Sequence, residues 1–399
     1  MDQLSGGAGN DTFHVAGDGY SSASRHTYSN SHGDSIRIED MAVVQDQIYG
    51  GDGWDTIEGT DGADVLNLSL GTTYMESYDD EALRIDSIEE VNLGAGDDIL
   101  DMDSNGASYT TDMVVDGGSG DDNLWMAQGD DTVYGGSGAD RITGDDGDDY
   151  IEGGSGADSM DGGSGTDTLS YAGSSSGIEV RLDDGAGRGG DAEGDTFSNF
   201  ENIQGSAHAD ELRGDDGDNV IEGGAGADDI RGGDGSDTAS YENASSAISA
   251  NLHTESGSQG DALGDEFDSI ENLTGSAFND TLTGDSSANV LTGGAGNDTL
   301  RGYGGNDTLN GGAGNDILIA GEQGGGTVTV DGGSGWIDTL QLQNNDGSDV
   351  ADGWTINLTN GSIHSNDGDS IQLSDDAAGS ITLDDGTTID FSNIEVIDY

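Results

Sequence analysis

Aspartates recur every nine residues in the middle of the sequence, and their spacing indicates where chemistry is possible. Between residues 117 and 170 a nine-residue unit runs six times without a gap. Each unit has glycines in its first half, an Asp at its sixth position and usually an apolar residue at its eighth. Carboxylate oxygens are ligands that hard divalent cations prefer. The sixth-position residues are Asp122, Asp131, Asp140, Asp149, Asp158 and Asp167, and the eighth-position residues are Leu124, Val133, Ile142, Ile151, Met160 and Leu169.

A period of nine is neither helical nor heptad, so it predicts a chain that coils back on itself. We expect one inward apolar side chain per short strand, with glycines supplying the positive-φ turns. Two units then make one turn of a flattened parallel coil. Stacking aligns alternate units, so that Asp122 lies over Asp140 and Asp131 over Asp149. Such rows would repel unless a hard divalent cation between them were bound by carboxylate and glycine-loop carbonyl oxygens.

Two of the units, GGSGADRIT at Gly135 and GGAGNDTLR at Gly293, resemble the GGxGxDxUx nonapeptides of RTX (repeats-in-toxin) proteins. The resemblance implies a parallel β-roll with Ca²⁺ between successive turns. It also implies type I secretion from a Gram-negative bacterium and folding outside the cell. It does not specify an activity, because toxins, proteases, lipases, epimerases, adhesins and surface-layer proteins carry the motif.

The composition favours a metal-completed solenoid over an ordinary globular core. The 399 residues include 82 Asp+Glu against 9 Lys+Arg, a net charge of −73, and only 31% are hydrophobic. Such charge opposes compaction unless counter-cations bind. Nucleic acid and anionic membranes are therefore poor partners. There is no Cys, no apolar run long enough to insert into a membrane, and no basic and apolar N-terminal stretch of the kind expected for a cleaved signal peptide.

The sequence predicts an all-β protein of calcium-bound parallel β-roll (solenoid) segments with β inserts and a C-terminal antiparallel β cap. Two spacers of equal length share Gly-Asp, Phe and Glu-Asn residues and lie 70 residues apart. The predicted regions are an irregular N-terminal β region with scattered units (1–116), a first roll (117–170), a spacer (171–204), a second roll (205–240), a spacer (241–274), a third roll (275–326) and the cap or secretion-signal region (327–399).

The candidate metal ligands are the sixth-position Asp residues and the first glycines of the units. Asn219 and Asn289 take the ligand position in two units, which predicts weaker or empty sites. The unit at Gly332 has one residue too many, which puts its site in doubt. Besides the six Asp residues above, the predicted ligands are Asp11, Asp55, Asp64, Asp98, Asp210, Asp228, Asp237, Asp280, Asp298, Asp307, Asp316, Gly117, Gly135, Gly144, Gly153, Gly162, Gly223, Gly232, Gly293 and Gly311.

Other motifs carry weaker signals. Asp101, Asp103, Asn105 and Asp112 have the spacing of an EF-hand loop, with Asp in place of the final Glu, so they indicate either a separate calcium loop or an acidic turn. His26 and His32 favour a solvated loop over a transition-metal site. The sequence has no zinc-protease motif, no phosphate loop and no credible nucleophile elbow. It therefore offers no credible catalytic site.

We therefore expect a non-enzymatic, secreted, calcium-binding structural or adhesive protein of a bacterial surface or matrix. Its expected partners are calcium, with further copies of itself or a cell-surface polysaccharide as open possibilities. The alternative is the non-catalytic repeat portion of a larger secreted enzyme or toxin. Carbohydrate binding by the spacers is suggested only by Tyr171, Tyr241 and Phe197, and core packing explains those residues more simply.

Overall fold

A computed structural model describes most of the chain after residue 87. The described residues are 88–102, 110–321, 325–344, 347–348, 350, 354–366, 368–375 and 377–399, with the strands before residue 87 and residues 10, 54 and 59. The chain divides into two compact units, Met1–Gln204 and Gly205–Tyr399. No helix in the described parts has the length and apolar character needed to cross a membrane.

The first unit consists of short strands with one 3-10 turn at Gly190–Ala192. Its strands are β1 (Gln3–Ala8), β2 (Thr12–His14), β3 (His26–Ser29), β4 (Ser35–Ile38), β5 (Ala42–Val43), β6 (Gln47–Asp52), β7 (Thr56–Glu58), β8 (Asp64–Leu70), β9 (Leu83–Asp86), β10 (Glu90–Asn92), β11 (Ile99–Asp101), β12 (Val114–Asp116), β13 (Asn123–Trp125), β14 (Thr132–Ser137), β15 (Arg141–Asp146), β16 (Tyr150–Ser155), β17 (Ser159–Ser164), β18 (Thr168–Ser170), β19 (Glu179–Arg181), β20 (Ala186–Arg188), β21 (Thr196–Ser198) and β22 (Asn202–Gln204).

Successive strands of the first unit alternate between two parallel sheets. One sheet runs β2, β7, β10, β12, β14, β16, β18, β22. The other contains β8, β11, β13, β15, β17, β21. Thr132 pairs with Tyr150 and Asn123 with Arg141, a register of two nine-residue units per turn. The predicted parallel coil is confirmed.

The second unit repeats this design with a 3-10 turn at Gly260–Ala262. Its strands are β23 (Glu211–Arg213), β24 (Val220–Glu222), β25 (Asp229–Arg231), β26 (Thr238–Ser240), β27 (Ser249–Asn251), β28 (Ser256–Gln259), β29 (Glu266–Asp268), β30 (Asn272–Thr274), β31 (Thr281–Thr283), β32 (Val290–Ala295), β33 (Thr299–Arg301), β34 (Thr308–Ala313), β35 (Ile317–Ala320), β36 (Gly326–Ser334), β37 (Thr339–Leu342), β38 (Thr355–Asn360), β39 (Ile363–Asn366), β40 (Ser370–Leu373), β41 (Ala378–Thr382), β42 (Thr387–Ser392) and β43 (Val396–Asp398).

The C-terminal region is a continuation of the roll as well as a cap. Strand β36 pairs in parallel with β34 and β42, and β37 pairs in parallel with β35 and β43. Only the intervening strands are antiparallel, in the pairs β38–β41, β41–β42, β39–β40 and β40–β43. A hairpin with Asp385-Gly386 in its turn joins β41 to β42. The antiparallel cap predicted over 327–399 is present in these pairs, and the parallel ladder also extends into the region.

The core is a thin column of eighth-position side chains. All six apolar residues of the central repeats are buried, from Leu124 to Leu169, with at most 2% of their surface exposed. Each fully buried aliphatic side chain of this size stabilises the fold by about 1.5 to 3 kcal/mol. Both spacers add a short antiparallel excursion, β19–β20 and β27–β28, before the chain rejoins the parallel ladder. Within the second unit the column continues past the spacer, from Ala239 through Leu273 to Leu291.

Candidate calcium sites

The sixth-position carboxylates form hydrogen-bonded rows along the roll. The Oδ1 atom of Asp140 accepts the backbone N–H of Asp122 at 2.8 Å, and Oδ1 of Asp158 accepts the N–H of Asp140 at 2.8 Å. In the other row, Oδ1 of Asp149 accepts the N–H of Asp131 at 2.9 Å. Each Asp side chain thus connects its own turn to the preceding turn, as the register of the strands requires.

The second oxygen of these carboxylates is buried without a hydrogen-bond donor. This applies to Oδ2 of Asp122, Asp140, Asp149, Asp158, Asp167, Asp228, Asp237, Asp298 and Asp316. A buried acceptor that lacks a donor is costly, and a charged one more so. A buried carboxylate oxygen without a donor is what a divalent cation needs as a ligand, because the cation takes the place of the missing donors.

The first glycine of each unit brings a carbonyl oxygen to the same place. A Cβ on Gly135 would lie 2.7 Å from Oδ2 of Asp140 and 2.5 Å from the carbonyl oxygen of Gly153. A Cβ on Gly117 would meet Oδ2 of Asp122 at 2.8 Å and the carbonyl oxygen of Gly135 at 2.6 Å. Glycine is required here because any side chain would occupy the space between these oxygens. The predicted glycines Gly144, Gly153, Gly162, Gly223, Gly232, Gly293 and Gly311 likewise lie beside the Asp of their own unit.

The donor set combines carboxylates with backbone carbonyls. Among the residues that the structure describes, no three His, Asp or Glu side chains gather into a metal-binding group. A site here would therefore take most of its oxygens from the chain itself. That set suits Ca²⁺, which accepts six to eight oxygens in flexible geometry, including backbone carbonyls.

Burial raises the pKa of these carboxyl groups, and the neighbouring carboxylates of each row add to the shift. The pKa of Asp122 rises to about 7, that of Asp131 to about 8 and that of Asp158 to about 7. In the second unit the pKa of Asp228 rises to about 8 and that of Asp298 to about 7. Protonated below these raised pKa values, the groups fit the fold without a metal. Ionised above them, they need a cation to balance their charge.

These shifts predict how the metal-free fold depends on pH. A folded-state pKa raised above the unfolded value contributes stability that is fully present below the unfolded pKa of about 4 and is lost as pH rises through the folded pKa. For Asp140, Asp122 and Asp131 the folded values are about 6, 7 and 8. In metal-free buffer we expect the β-sheet circular dichroism to be stronger at about pH 5 than at about pH 8. A metal-free signal that grows between those values would contradict the assignment, and a calcium-loaded sample is the control.

The spacers supply carboxylates that the nine-residue pattern does not predict. The backbone N–H of Asp158 donates to Oδ1 of Asp195 at 2.7 Å, and that of Asp167 donates to Oε2 of Glu201 at 2.8 Å. The second spacer provides Asp265 and Glu271 in the same roles, and the C-terminal region provides Asp338 and Glu395. In the sequence, the spacer carboxylates are marked by the Gly-Asp and Glu-Asn pairs that the two spacers share. Asp338 joins its row despite the extra residue in its unit.

In both spacers a buried tyrosine donates a hydrogen bond to the Asp that the spacer adds to a row. The hydroxyl group of Tyr171 donates to Oδ2 of Asp195 at 2.9 Å, and that of Tyr241 donates to Oδ2 of Asp265 at 2.7 Å. Both tyrosines are 1% exposed, and Phe197 is 6% exposed. Aromatic rings buried in this way cannot stack on a sugar, so the structure does not support carbohydrate binding through these three residues.

Four sixth-position residues are held by hydrogen bonds within the loop of their own unit. In the units at Gly205 and Gly275 a Ser replaces the second glycine, and its N–H and hydroxyl donate to the carboxylates of Asp210 and Asp280. In two other units the amide oxygens of Asn219 and Asn289 accept the N–H of Asp215 and Asp285. These side chains satisfy one another within their own loops. Asp210 and Asp280, predicted as ligands, are thus held like the two asparagines.

Restoring the carboxylate at one of these positions is expected to create a cation site. Asn289 donates from Nδ2 to the carbonyl oxygen of Glu271 at 2.7 Å, and Asn289→Asp replaces that donor with an anionic oxygen. We expect the variant to bind one additional calcium ion in equilibrium dialysis, and to be less stable without calcium by about 1 to 3 kcal/mol because a buried acceptor is left unpaired. An unchanged number of bound calcium ions would show that position 289 cannot complete a site. The matched control is Asn306→Asp, at an exposed fifth position of its unit.

The remaining predicted residues fall in three groups. Asp98 is buried, and its N–H donates to Oδ1 of Asp122 at 2.7 Å, so it extends the first row; Asp307 accepts the N–H of Asn289 in the corresponding way. Asp64 begins strand β8. Asp101 is buried within strand β11, and the exposed Asp112 accepts the N–H of Asp130, so both residues are connected to the roll. Asp11, Asp55, Asp103 and Asn105 lie outside the described residues.

The fold and the rows define a metal-binding parallel β-roll. A family profile described as the RTX calcium-binding nonapeptide repeat (four copies) matches residues 2–18, 45–71, 114–133, 134–169, 204–239, 267–300 and 292–323. The chain thus carries several copies of the RTX repeat, and these repeats bind multiple calcium ions. No curated protein matches the sequence.

Proposed function

We propose that this is a secreted structural or adhesive protein of a bacterial cell surface or extracellular matrix, folded by calcium. The observation that carries the proposal is the pair of rows of buried carboxylates with unpartnered Oδ2 atoms. In our proposal, the sixth-position Asp residues and the first-glycine carbonyls hold the ions. The ions supply positive charge that makes the rows compatible with a compact chain of net charge −73.

Calcium then acts as a folding switch at export. Extracellular calcium modules bind with dissociation constants of about 10⁻⁴ to 10⁻³ M, so the chain stays unfolded where free calcium is scarce. Type I secretion from a Gram-negative bacterium, which is typical of RTX proteins, fits that order of events. We assign the described carboxylates a structural role and no catalytic one, because those of the rows lie buried against the backbone of the adjacent turn.

The test is whether the calcium-loaded chain attaches or assembles. Purified protein would be mixed with Gram-negative cells and, separately, followed by light scattering and electron microscopy as calcium is added. We expect calcium-dependent retention on cells or growth into regular particles. A stable monomer that neither assembles nor attaches would overturn the proposal in favour of an accessory repeat region of a larger secreted enzyme or toxin.

A further inference from the structure

One edge of the second unit lacks charge over four successive turns. We call it the neutral edge and define it as residues 277–279, 295–297, 313–315 and 334–337. Strand register aligns the turns, with Ala295 beside Ala313 and Ala313 beside Ser334. None of its thirteen residues is ionisable, although 23% of the chain is charged. In the first unit the corresponding ladder contains Asp97 and Asp121.

Asparagine amides form a ladder along this edge. The Oδ1 atom of Asn279 accepts the N–H of Asn297 at 2.8 Å, and Oδ1 of Asn297 accepts the N–H of Asn315 at 2.8 Å. Oδ1 of Asn315 in turn accepts the backbone N–H groups of Trp336 and Ile337, each at 3.0 Å. Because each Oδ1 is occupied by the backbone, the Nδ2 amide group is the part of each side chain that can donate to a ligand. The three exposed side chains thus present hydrogen-bond donors at intervals of one turn.

Apolar side chains flank the ladder. Trp336 is 89% exposed and Ile337 is 55% exposed, because the additional residue of this unit pushes both out of the turn. Phe278, 44% exposed, lies at the other end, about 14 Å away at the usual spacing of parallel strands. Between them Gly296 and Gly314 carry no side chain. Beside Trp336 there is a cavity of about 360 Å³ lined by Gly314, Asn315, Gly333, Ser334, Gly335 and Trp336.

We propose that the neutral edge binds an uncharged polysaccharide chain. A sugar polymer offers hydroxyl acceptors for the Nδ2 donors and apolar ring faces for Trp336 and Phe278, whose rings have one broad apolar face. An anionic glycan would be repelled by a protein of charge −73, and a cationic one would bind the acidic surface elsewhere. A contact with a second copy of the chain is one of the outcomes of the test below. This inference deepens the adhesive part of the proposed function and rests on it.

The probe is a panel of soluble neutral glucans, mannans and galactans cast into native gels with calcium, with hyaluronan as the anionic control. We expect at least one neutral polysaccharide to retard the full chain. Trp336→Ala should weaken that retardation about tenfold, the loss expected for one stacking contact. Asn297→Asp should also weaken it, and it should preserve the fold because Asp121 makes the same backbone hydrogen bond in the first unit. Leu263→Ala removes another exposed apolar side chain, 60% exposed, and should change nothing.

Three outcomes would overturn the proposal: no retardation by any neutral polysaccharide, retardation that survives Trp336→Ala, or calcium-dependent self-association that Trp336→Ala abolishes. The last outcome would assign the edge to a contact between copies. Circular dichroism with calcium on the same samples separates loss of binding from loss of fold. Attachment of wild-type protein to cells without polysaccharide retardation would reject the neutral edge while leaving the proposed function intact.

Discussion

Removing calcium at neutral pH is expected to abolish most of the β-structure of the protein. Without the cations, the Oδ2 atoms of both rows are buried and unpaired. Each carboxyl group must then either take up a proton, at the cost that its raised pKa implies, or ionise against its neighbours. Each site occupied at a hundred times its dissociation constant stabilises the fold by about 2.7 kcal/mol, so the loss of many sites exceeds the stability of an ordinary domain. Circular dichroism during a titration with a chelator, followed by re-addition of calcium, measures this directly.

The shape of that titration is part of the prediction. Each carboxylate joins two turns, as the N–H of Asp122 to Oδ1 of Asp140 shows, so filling one site orders the next. We expect a cooperative transition with a midpoint of about 10⁻⁴ to 10⁻³ M calcium. Magnesium at the same concentration should fail, because it demands near-octahedral geometry and retains its waters. A β-sheet spectrum that persists in excess chelator would refute the metal-dependent fold.

Substituting alanine at the first glycine of a central unit is the second change expected to have a large effect. In Gly135→Ala the new Cβ would lie 2.5 Å from the carbonyl oxygen of Gly153 and 2.7 Å from Oδ2 of Asp140. Both distances are too short, and both atoms belong to the proposed cation site. We expect the variant to lose about 3 kcal/mol of stability in calcium, and to need more calcium to fold. Chemical denaturation at fixed calcium concentration measures both effects.

The matched control is a glycine whose added methyl group meets no backbone. A Cβ on Gly217 would have only Oδ1 of Asp215 nearby, at 3.2 Å. Gly217→Ala should therefore change the free energy of unfolding by no more than about 0.5 kcal/mol. Equal destabilisation by the two substitutions would mean that general loss of glycine flexibility, and not the crowding of the site, explains the first result.

The central rolls were predictable from the sequence because their pattern is local. A turn of two units places Ile142 beside Met160 and Asp140 beside Asp158, and nothing beyond the nine-residue period is needed to see it. The contributions of the spacers were not predictable in this way. Asp195 lies 37 residues from Asp158, and only folding of the intervening excursion determines that it meets the row.

Single-residue departures from the repeat had opposite outcomes that the sequence alone does not distinguish. Ser206 in place of a second glycine gave Asp210 a donor, which changed the character of its site. The additional residue before Asp338 had no such effect, because Trp336 and Ile337 bulge outward and leave the carboxylate in register. Whether a departure matters depends on whether it supplies a donor to the row, which is a property of side-chain geometry and not of spacing.

The carboxylates that the spacers lend to the rows make the spacer and its following roll a module of fixed length. Tyr171, Asp195 and Glu201 recur 70 residues later as Tyr241, Asp265 and Glu271. A tandem duplication or deletion of one whole module would keep each spacer carboxylate opposite the roll that precedes it. A change in the length of the spacer alone would place a non-acidic residue opposite the backbone N–H that Asp195 or Glu201 now accepts. The chain can therefore vary its reach in discrete steps during evolution, and a designer can lengthen or shorten it by the same increment.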